Sequence, residues 1–587
     1  MHIYKFVYII FMETKNCLLT DSLFYYLRPT KAQEKIIYKL TEIYSIMNNA
    51  IFKFPNPDNE PIKSYMPNSL ERIELEKELK RQSSTEVEIP LIIGGKEVRT
   101  GKTKKIVMPH NHQHVLATYH CATQETVKMA IDAALKAKDE WQKMSWIERG
   151  SILLRAAEMI SKPYRAVMNA ATMLGQSKNT YQAEIDSACE AVDFLRYNAY
   201  FAGQVYEDQP KSDPTQLNRM EYRALEGFVY TICPFNFTAI ATNLNMAPIM
   251  MGNTTLWKPA STAVLSNYYA AKIFMEAGIP AGVFNFVPGE GALISDIAFG
   301  HKYLAGIHFT GSTWSFGHFW KTIGDNLKIY INYPKIVGET GGKDFVFVHH
   351  SANPIEVATA LVRGSFEYQG QKCSAASRAY IPKSLWKEVR EELEKQVSQI
   401  KMGDVTDFSV GMGAVIDEKS FDGIMTYVNK AKEDKDCAFI TGGNGDKSKG
   451  YFIEPTIIRT NNPLSETMVH ELFGPVLTIY VYDDEKFEET LDICNTTSPY
   501  ALTGSVFAND RAAVLKVSEK LQYACGNFYI NDKPTGAVVG MQPFGGGRAS
   551  GTNDKAGSKL NLLRWVNPRT VKETFVPPTH FSYPYMK

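Results

Sequence analysis

The sequence predicts an α/β protein of two or more domains, each organised on a doubly wound parallel sheet. Three observations carry this. The chain has 587 residues, too many for one hydrophobic core. From about residue 227, strand-like apolar runs alternate with helical stretches, and a second block of the same kind opens near Gly342. Parallel strands need a long crossover between neighbours, so this alternation is what a covered parallel sheet looks like in sequence.

The elements follow in order. Residues 1–45 match no recognised pattern and are read as a leader of uncertain status. Their apolar start is broken by Lys5, and they hold Arg28 as their only arginine beside Glu13, Asp21, Glu34 and Glu42, which suits neither a signal nor a transit peptide. Pro55, Pro57 and Pro61 break the chain before a charged helix at 69–82. A hairpin is expected at 91–98, then helices at 124–142, 146–161 and 181–200. A polar stretch at 208–221 precedes the first sheet, whose strands fall at 227–234, 254–258, 284–287 and 306–309, with a helix at 262–277. The second block has strands at 345–348, 379–382, 477–482 and 505–507 and helices at 354–368 and 385–400.

Composition removes several classes of function. Hydrophobic residues make up 44% and charged residues 22%, as in ordinary globular proteins. A net charge of +1 gives no electrostatic reason to expect nucleic acid or an anionic membrane as partner. No apolar run approaches the roughly 20 residues of a membrane-spanning helix. The eight cysteines are scattered singly, without a Cys-x-x-Cys pair, which suits neither a disulfide framework nor a thiolate metal site.

One cysteine stands apart. Cys373 lies in Phe366-Glu-Tyr-Gln-Gly-Gln-Lys-Cys-Ser-Ala-Ala-Ser-Arg, after an expected helix and among small and polar residues. A thiol so placed can meet a substrate. Val337-Gly-Glu-Thr-Gly-Gly-Lys offers Glu339 as a base, and Ile232-Cys-Pro-Phe-Asn-Phe-Thr offers Asn236 as a neutral amide donor. A nucleophile, a base and an oxyanion donor are the parts that acyl-type covalent catalysis requires.

A dinucleotide would have to bind without the usual Gly-x-Gly-x-x-Gly; Gly289-Glu-Gly291 lacks the third glycine. Phe309-Thr-Gly-Ser at a strand-to-helix junction is the remaining candidate, because Gly311 permits close backbone approach and free helix amides attract phosphate. Two other motifs are set aside. His110, His112, His114 and His120 lie close together, but no acid or cysteine set completes a metal site, and none is expected. Gly442-Gly-Asn-Gly-Asp reads as turn chemistry before a strand, not as a phosphate loop.

These segments resemble the aldehyde dehydrogenase superfamily. The resemblance continues in Asn253-Thr-Thr-Leu-Trp-Lys-Pro, Glu471-Leu-Phe-Gly-Pro-Val and Gln542-Pro-Phe-Gly-Gly-Gly-Arg-Ala-Ser-Gly, and runs from about residue 50 to the C-terminus. Pro234-Phe-Asn-Phe-Thr-Ala-Ile, Asn527-Phe-Tyr-Ile-Asn-Asp-Lys and Gly547-Arg-Ala-Ser-Gly-Thr-Asn-Asp-Lys are similar to the branch that oxidises L-glutamate 5-semialdehyde to L-glutamate with NAD in proline degradation. The alternatives are another semialdehyde dehydrogenase, such as one for succinate semialdehyde, and a non-catalytic protein that keeps the scaffold. Intact Cys373, Glu339 and Asn236 argue against the latter.

The resemblance implies an aldehyde dehydrogenase fold. An N-terminal and Rossmann-like NAD-binding region would span 46–338 with an oligomerisation flap at 207–223, and a catalytic domain would span 339–535. Residues 536–587 would form a substrate-anchoring loop and an oligomerisation tail. It assigns Gly311, Ser312, Thr313, Trp314 and Ser315 to the pyrophosphate side, Lys258 to the adenosine ribose, Glu471 to the nicotinamide ribose and Phe473 to the nicotinamide end. Cys233 falls beside the cofactor where relatives often have serine. Ser261 falls where many have a ribose-binding glutamate, which weakens rejection of NADP. Substrate contacts are assigned to Glu190, Phe237, Ser374, Gly536, Ala537 and Phe544, with Ala537 standing where some relatives have serine; the bland reading of Glu190 is a solvated helix-face charge. The resemblance further implies a homodimer or larger homo-oligomer and a mitochondrial matrix location.

Overall fold

Two seven-stranded sheets, joined by a short crossing, organise the chain. The computed structural model describes residues 52–587, so the reading of 1–45 as a leader lies outside the described residues. The first sheet runs Lys335–Glu339, Leu304–Thr310, Phe228–Ile232, Thr255–Lys258, Phe284–Phe286, Leu91–Ile93, Lys96–Val98. Its first five strands are parallel, and the Leu91–Ile93/Lys96–Val98 hairpin closes it in antiparallel pairing. The second sheet runs Cys437–Thr441, Thr456–Thr460, Val476–Tyr482, Ala376–Pro382, Asp344–Val348, Thr503–Phe507, Asn527–Ile530, parallel except for Cys437–Thr441. Strands such as Phe228–Ile232 and Asp344–Val348 are buried along their whole length, as helices on both faces demand.

Thr340–Lys343 carries the chain from the edge strand Lys335–Glu339 straight into the central strand Asp344–Val348. Glu339 therefore stands where one sheet gives way to the other. The sequence reading missed Lys335–Glu339, and also the helices Arg165–Gln176 and Thr238–Met250. The last is buried at nearly every position, so it lacks the polar face that marks a surface helix.

Other boundaries hold closely: Ser69 caps Leu70–Ser83, and Trp146–Ser161 opens on a Ser145/Glu148 capping box. Two expectations need correction. The helix expected at 181–200 is three pieces, Thr180–Ala183, a π-helical turn Glu184–Glu190 and Ala191–Glu207. The oligomerisation flap expected at 207–223 holds one strand, Gln216–Ala224, and its antiparallel partner is Val566–Thr574 of the tail, paired over nine residues. Flap and tail are one ribbon.

Candidate active site

Cys373 reaches its place through a strained turn. The helix Pro354–Phe366 stops short of the expected end because Tyr368 (φ 48°), Gln369 (φ 54°) and Gly370 (φ 66°) take left-handed backbone. Non-glycine residues adopt this only when their surroundings hold them. Here Gln369 Nε2 donates to the carbonyls of Ser177 (2.9 Å) and Ala414 (2.7 Å), and Gln371 Oε1 accepts from Ile416 N (2.9 Å). A side chain on Gly370 would stand 2.2 Å from the Gly474 carbonyl. The turn delivers Cys373, 8% exposed, to a point where its Sγ lies 3.8 Å from Glu339 Oε1.

Glu339 is fixed from the opposite side. Gly551 bridges to it, Thr340 N donates to Ser550 O (2.9 Å) and Thr552 N to Gly338 O (2.9 Å), so the Arg-Ala-Ser-Gly-Thr segment clamps the strand end. Burial pushes the Glu339 carboxyl up to about 8, against the lowering influence of Cys373 and Lys555. Burial, aided by the nearby carboxylates Glu339, Asp344 and Glu471, pushes the Cys373 thiol well above its ordinary range. Both shifts favour the neutral forms, a thiol beside a protonated carboxyl, and they bring the carboxyl into the range in which a side chain can exchange protons near neutral pH.

Asn236 sits buried on the other flank, where its Nδ2 donates one N–H to the Gln371 carbonyl at 3.1 Å. An amide nitrogen has two hydrogens, so the second remains available to an oxyanion. Its loop is held by a buried ion pair that the sequence reading missed. Lys178 Nζ meets Asp186 Oδ2 at 2.7 Å with both side chains fully buried, and Asp186 accepts the N–H groups of Thr238 (3.0 Å) and Ala239 (2.8 Å) at the start of Thr238–Met250. The Lys178 ammonium also lies over the rings of Phe237 (4.0 Å) and Tyr368 (4.5 Å). No sequence motif marks this pair, since its meaning lies in what it touches.

A cavity of about 290 Å³ opens beside the thiol and gathers Cys373, Glu339, Glu190, Phe237, Ser374, Gly536, Ala537 and Phe544. Glu190 closes the π-helical turn, and its carboxyl is pushed well up by burial, then by Asp186. It is a cavity wall, not a solvated charge. Gly536 has φ +91°, which turns its loop into the cavity. Ser374 Oγ donates to Thr535 Oγ1 at 2.8 Å, which ties the neighbour of Cys373 to the root of that loop. Two hydroxyls share one bond, so one hydroxyl proton is left for a ligand. Asn59, in the proline-broken stretch, also lines the cavity: its Nδ2 donates to Asp193 Oδ2 and to the Val539 carbonyl, both at 2.8 Å. Lys533 lines the cavity too. The sequence reading used Lys533 only as part of a motif.

Of the expected cofactor residues, Cys233, Lys258 and Gly311–Ser315 lie at strand ends of the first sheet, and Glu471 and Phe473 lie just before Val476–Tyr482 of the second. Ser312 caps Thr313–Asp325, accepting from Ser315 N at 3.2 Å, and Trp314 on its first turn is 80% exposed. Phe309 packs under Gly311, where an added Cβ would stand 2.6 Å from its ring. Lys258 ends Thr255–Lys258 and has no ion-pair partner among the described residues. Glu471 accepts from Gly342 N at 2.8 Å, and burial pushes its carboxyl up to about 7. Phe473, at φ 57°, sets its ring against Phe235. The buried Cys233 sulfur donates to the Ala241 carbonyl at 3.4 Å. A helix N-terminus for phosphates, an unpaired ammonium and a buried carboxylate beside the thiol fit a dinucleotide.

The histidines do not converge. His112 meets the Lys447 carbonyl, His114 that of Ser83, and His120 meets Glu88. Among the described residues no three potential ligands group to hold a metal ion.

A buried thiol beside a buried carboxyl where two α/β sheets meet is the arrangement expected of an aldehyde-oxidising class, and comparison agrees with the class: the aldehyde dehydrogenase family model matches residues 97–571, and the chain belongs to that family. Its relatives are narrower in kind. The mitochondrial delta-1-pyrroline-5-carboxylate dehydrogenase of Dictyostelium discoideum is 51% identical over 535 residues, covering 91% of this chain and 96% of that protein. The Homo sapiens mitochondrial delta-1-pyrroline-5-carboxylate dehydrogenase is 46% identical over 530 residues, 90% of this chain and 94% of that one. The crystal structure of the Mycobacterium tuberculosis delta-pyrroline-5-carboxylate dehydrogenase bound with NAD superposes with a TM-score of 0.89 at 48% identity, covering 92% of this chain and 100% of that one.

Proposed function

We propose that this chain oxidises L-glutamate 5-semialdehyde, the open form of 1-pyrroline-5-carboxylate, to L-glutamate with NAD, the second step of proline degradation. The observation that carries the reading is the Cys373–Glu339 pair inside a cavity that also holds the Gly536–Ala537 loop. The relatives' shared activity supports the substrate.

Glu339, once deprotonated, takes the Cys373 proton, and the sulfur adds to the aldehyde carbon. The new oxyanion is met by the free Asn236 N–H. NAD, when bound, supplies the acceptor for the hydride that leaves this carbon. What remains is a thioester on Cys373. Glu339 gives the first proton up to solvent and then takes one from water; the hydroxide equivalent adds to the thioester carbon, and the adduct collapses by breaking the C–S bond, the departing thiolate recovering the proton that Glu339 holds. Gly311–Ser315, Lys258, Glu471 and Phe473 would hold the cofactor. Phe237 and Phe544 would flank the aliphatic part of the substrate, and the N–H groups of Gly536 and Ala537, with the Ser374–Thr535 pair, would face its carboxylate.

The Gln216–Ala224/Val566–Thr574 ribbon and the exposed Phe575, Val576, Phe581 and Tyr585 beyond it suit assembly into a homodimer or larger oligomer. The location proposed is the mitochondrial matrix, in line with the named mitochondrial relatives. The test is steady-state kinetics with 1-pyrroline-5-carboxylate and succinate semialdehyde, each with NAD and NADP. Highest kcat/KM for the first substrate with NAD is expected; preference for succinate semialdehyde would overturn the reading.

A further inference from the structure

The loop that presents Gly536 and Ala537 also carries Lys533, a cation that acts on Glu367 only beyond ion-pair distance. Lys533 lines the cavity, and its Nζ donates to the Thr535 carbonyl at 3.3 Å. It stands 3.0 Å from the point a Gly536 Cβ would occupy, so the ammonium lies directly against the glycine that opens onto the cavity. Three further cations border the same space. Arg363 and Lys372 are spent on one carboxylate, Glu367, which meets Arg363 Nε at 3.2 Å and Lys372 Nζ at 3.1 Å, while Lys555 Nζ is held by the carbonyls of Gly526 (2.8 Å) and Gly545 (2.9 Å) and acts on Glu339 at the other end of the cavity. Lys533 has no carboxylate within ion-pair distance among the described residues. The other acids that line the cavity, Glu60, Glu190, Asp193, Glu339 and Asp554, offer an anion no positive charge.

We propose that Lys533 is a specificity-determining residue, supplying the positive charge that selects aldehydes bearing a carboxylate and turns that carboxylate toward the Gly536–Ala537 loop. The proposal rests on the functional reading above. Backbone amides offer an anion only dipoles; an adjacent ammonium adds a charge-assisted bond in a site where water is scarce. An uncharged aldehyde of similar size gains nothing from it. The two ends of the substrate are then told apart by charge: the anionic end goes to Lys533, the aldehyde to Cys373.

The test uses the full chain with NAD. Lys533→Met, Lys533→Gln and Lys533→Arg are compared with the parent on glutamate semialdehyde, succinate semialdehyde and propanal, with glutamate as a competitive inhibitor. Lys533→Met should lower kcat/KM for both carboxylate aldehydes about 10- to 100-fold more than for propanal, the range for losing a bond to a charged group. The loss should fall on KM, and the glutamate inhibition constant should rise by the same factor. Lys533→Gln carries the same expectation should the Met variant fail to fold, and Lys533→Arg should recover most of the loss. Equal changes on all three aldehydes, or none, would overturn the proposal. If the parent enzyme prefers succinate semialdehyde, the functional reading fails while the ratio of carboxylate aldehydes to propanal still judges Lys533.

Discussion

Cys373 Sγ and Glu339 Oε1 stand 3.8 Å apart although they belong to different sheets. Glu339 ends the edge strand Lys335–Glu339 of the first, and Cys373 lies on the turn before Ala376–Pro382 of the second. The contact exists only because the two sheets meet there.

Replacing the nucleophile is the simplest test. Cys373→Ala should abolish aldehyde oxidation and sensitivity to thiol alkylation, while NAD binding, measured by fluorescence titration, stays near the parent value. The expected cofactor contacts lie on other residues. Activity above a few per cent would exclude covalent catalysis by this thiol.

Glu339 should leave two pH signatures. Activity should rise with pH through an apparent pKa near 8, because the base works deprotonated, and Glu339→Gln should remove that limb along with most of the rate. Stability should run the other way. With a folded-state pKa of about 8 against an ordinary 4.5, the folded protein holds this proton more tightly than the unfolded chain. The stabilisation is complete below the unfolded value and is lost as pH rises toward 8 and through it. Melting scans across that window should show a steeper fall for the parent than for Glu339→Gln; parallel curves would contradict the assignment.

Asn236→Ala removes an oxyanion donor and should slow the hydride-transfer phase by about 100-fold or more. Glu339→Gln should instead alter the pre-steady-state burst through thiol activation or thioester hydrolysis. The same phase slowed equally in both variants would refute this division of roles.

Ser374→Ala probes the carboxylate end. It should weaken glutamate semialdehyde by about 1–3 kcal/mol and propanal little, since propanal has no carboxylate to lose contact with. Ser374 bonds Thr535 at 2.8 Å, so Thr535→Val should act in the same direction through the loop. Equal losses on both aldehydes would mean that Ser374 supports the thiol and not the substrate.

Lys178→Met tests the buried pair behind the site. It leaves Asp186 uncompensated in the interior, and a loss of about 3–5 kcal/mol in unfolding free energy is expected from denaturant titration. A loss below about 1 kcal/mol would show that the Asp186 bonds to Thr238 and Ala239 suffice alone.

Chemistry that resides in one residue type at one place was legible in the sequence. Cys373, Glu339 and Asn236 sit in short segments whose glycines and small residues announce an accessible turn, and the strand–helix alternation of both sheets is a local pattern. So were most element boundaries, because caps such as Ser69 and Ser145 act within one turn of their own helix. Three things were decided only by the tertiary structure. Gln216–Ala224 could not be paired from its own residues, because its partner Val566–Thr574 is brought to it by the rest of the fold. Lys178, Asp186, Asn59 and Lys533 look like ordinary polar residues until their neighbours are known. The raised pKa of Glu339, about 8, is a property of burial, and burial is created by the elements packed around a residue and not by its adjacent sequence.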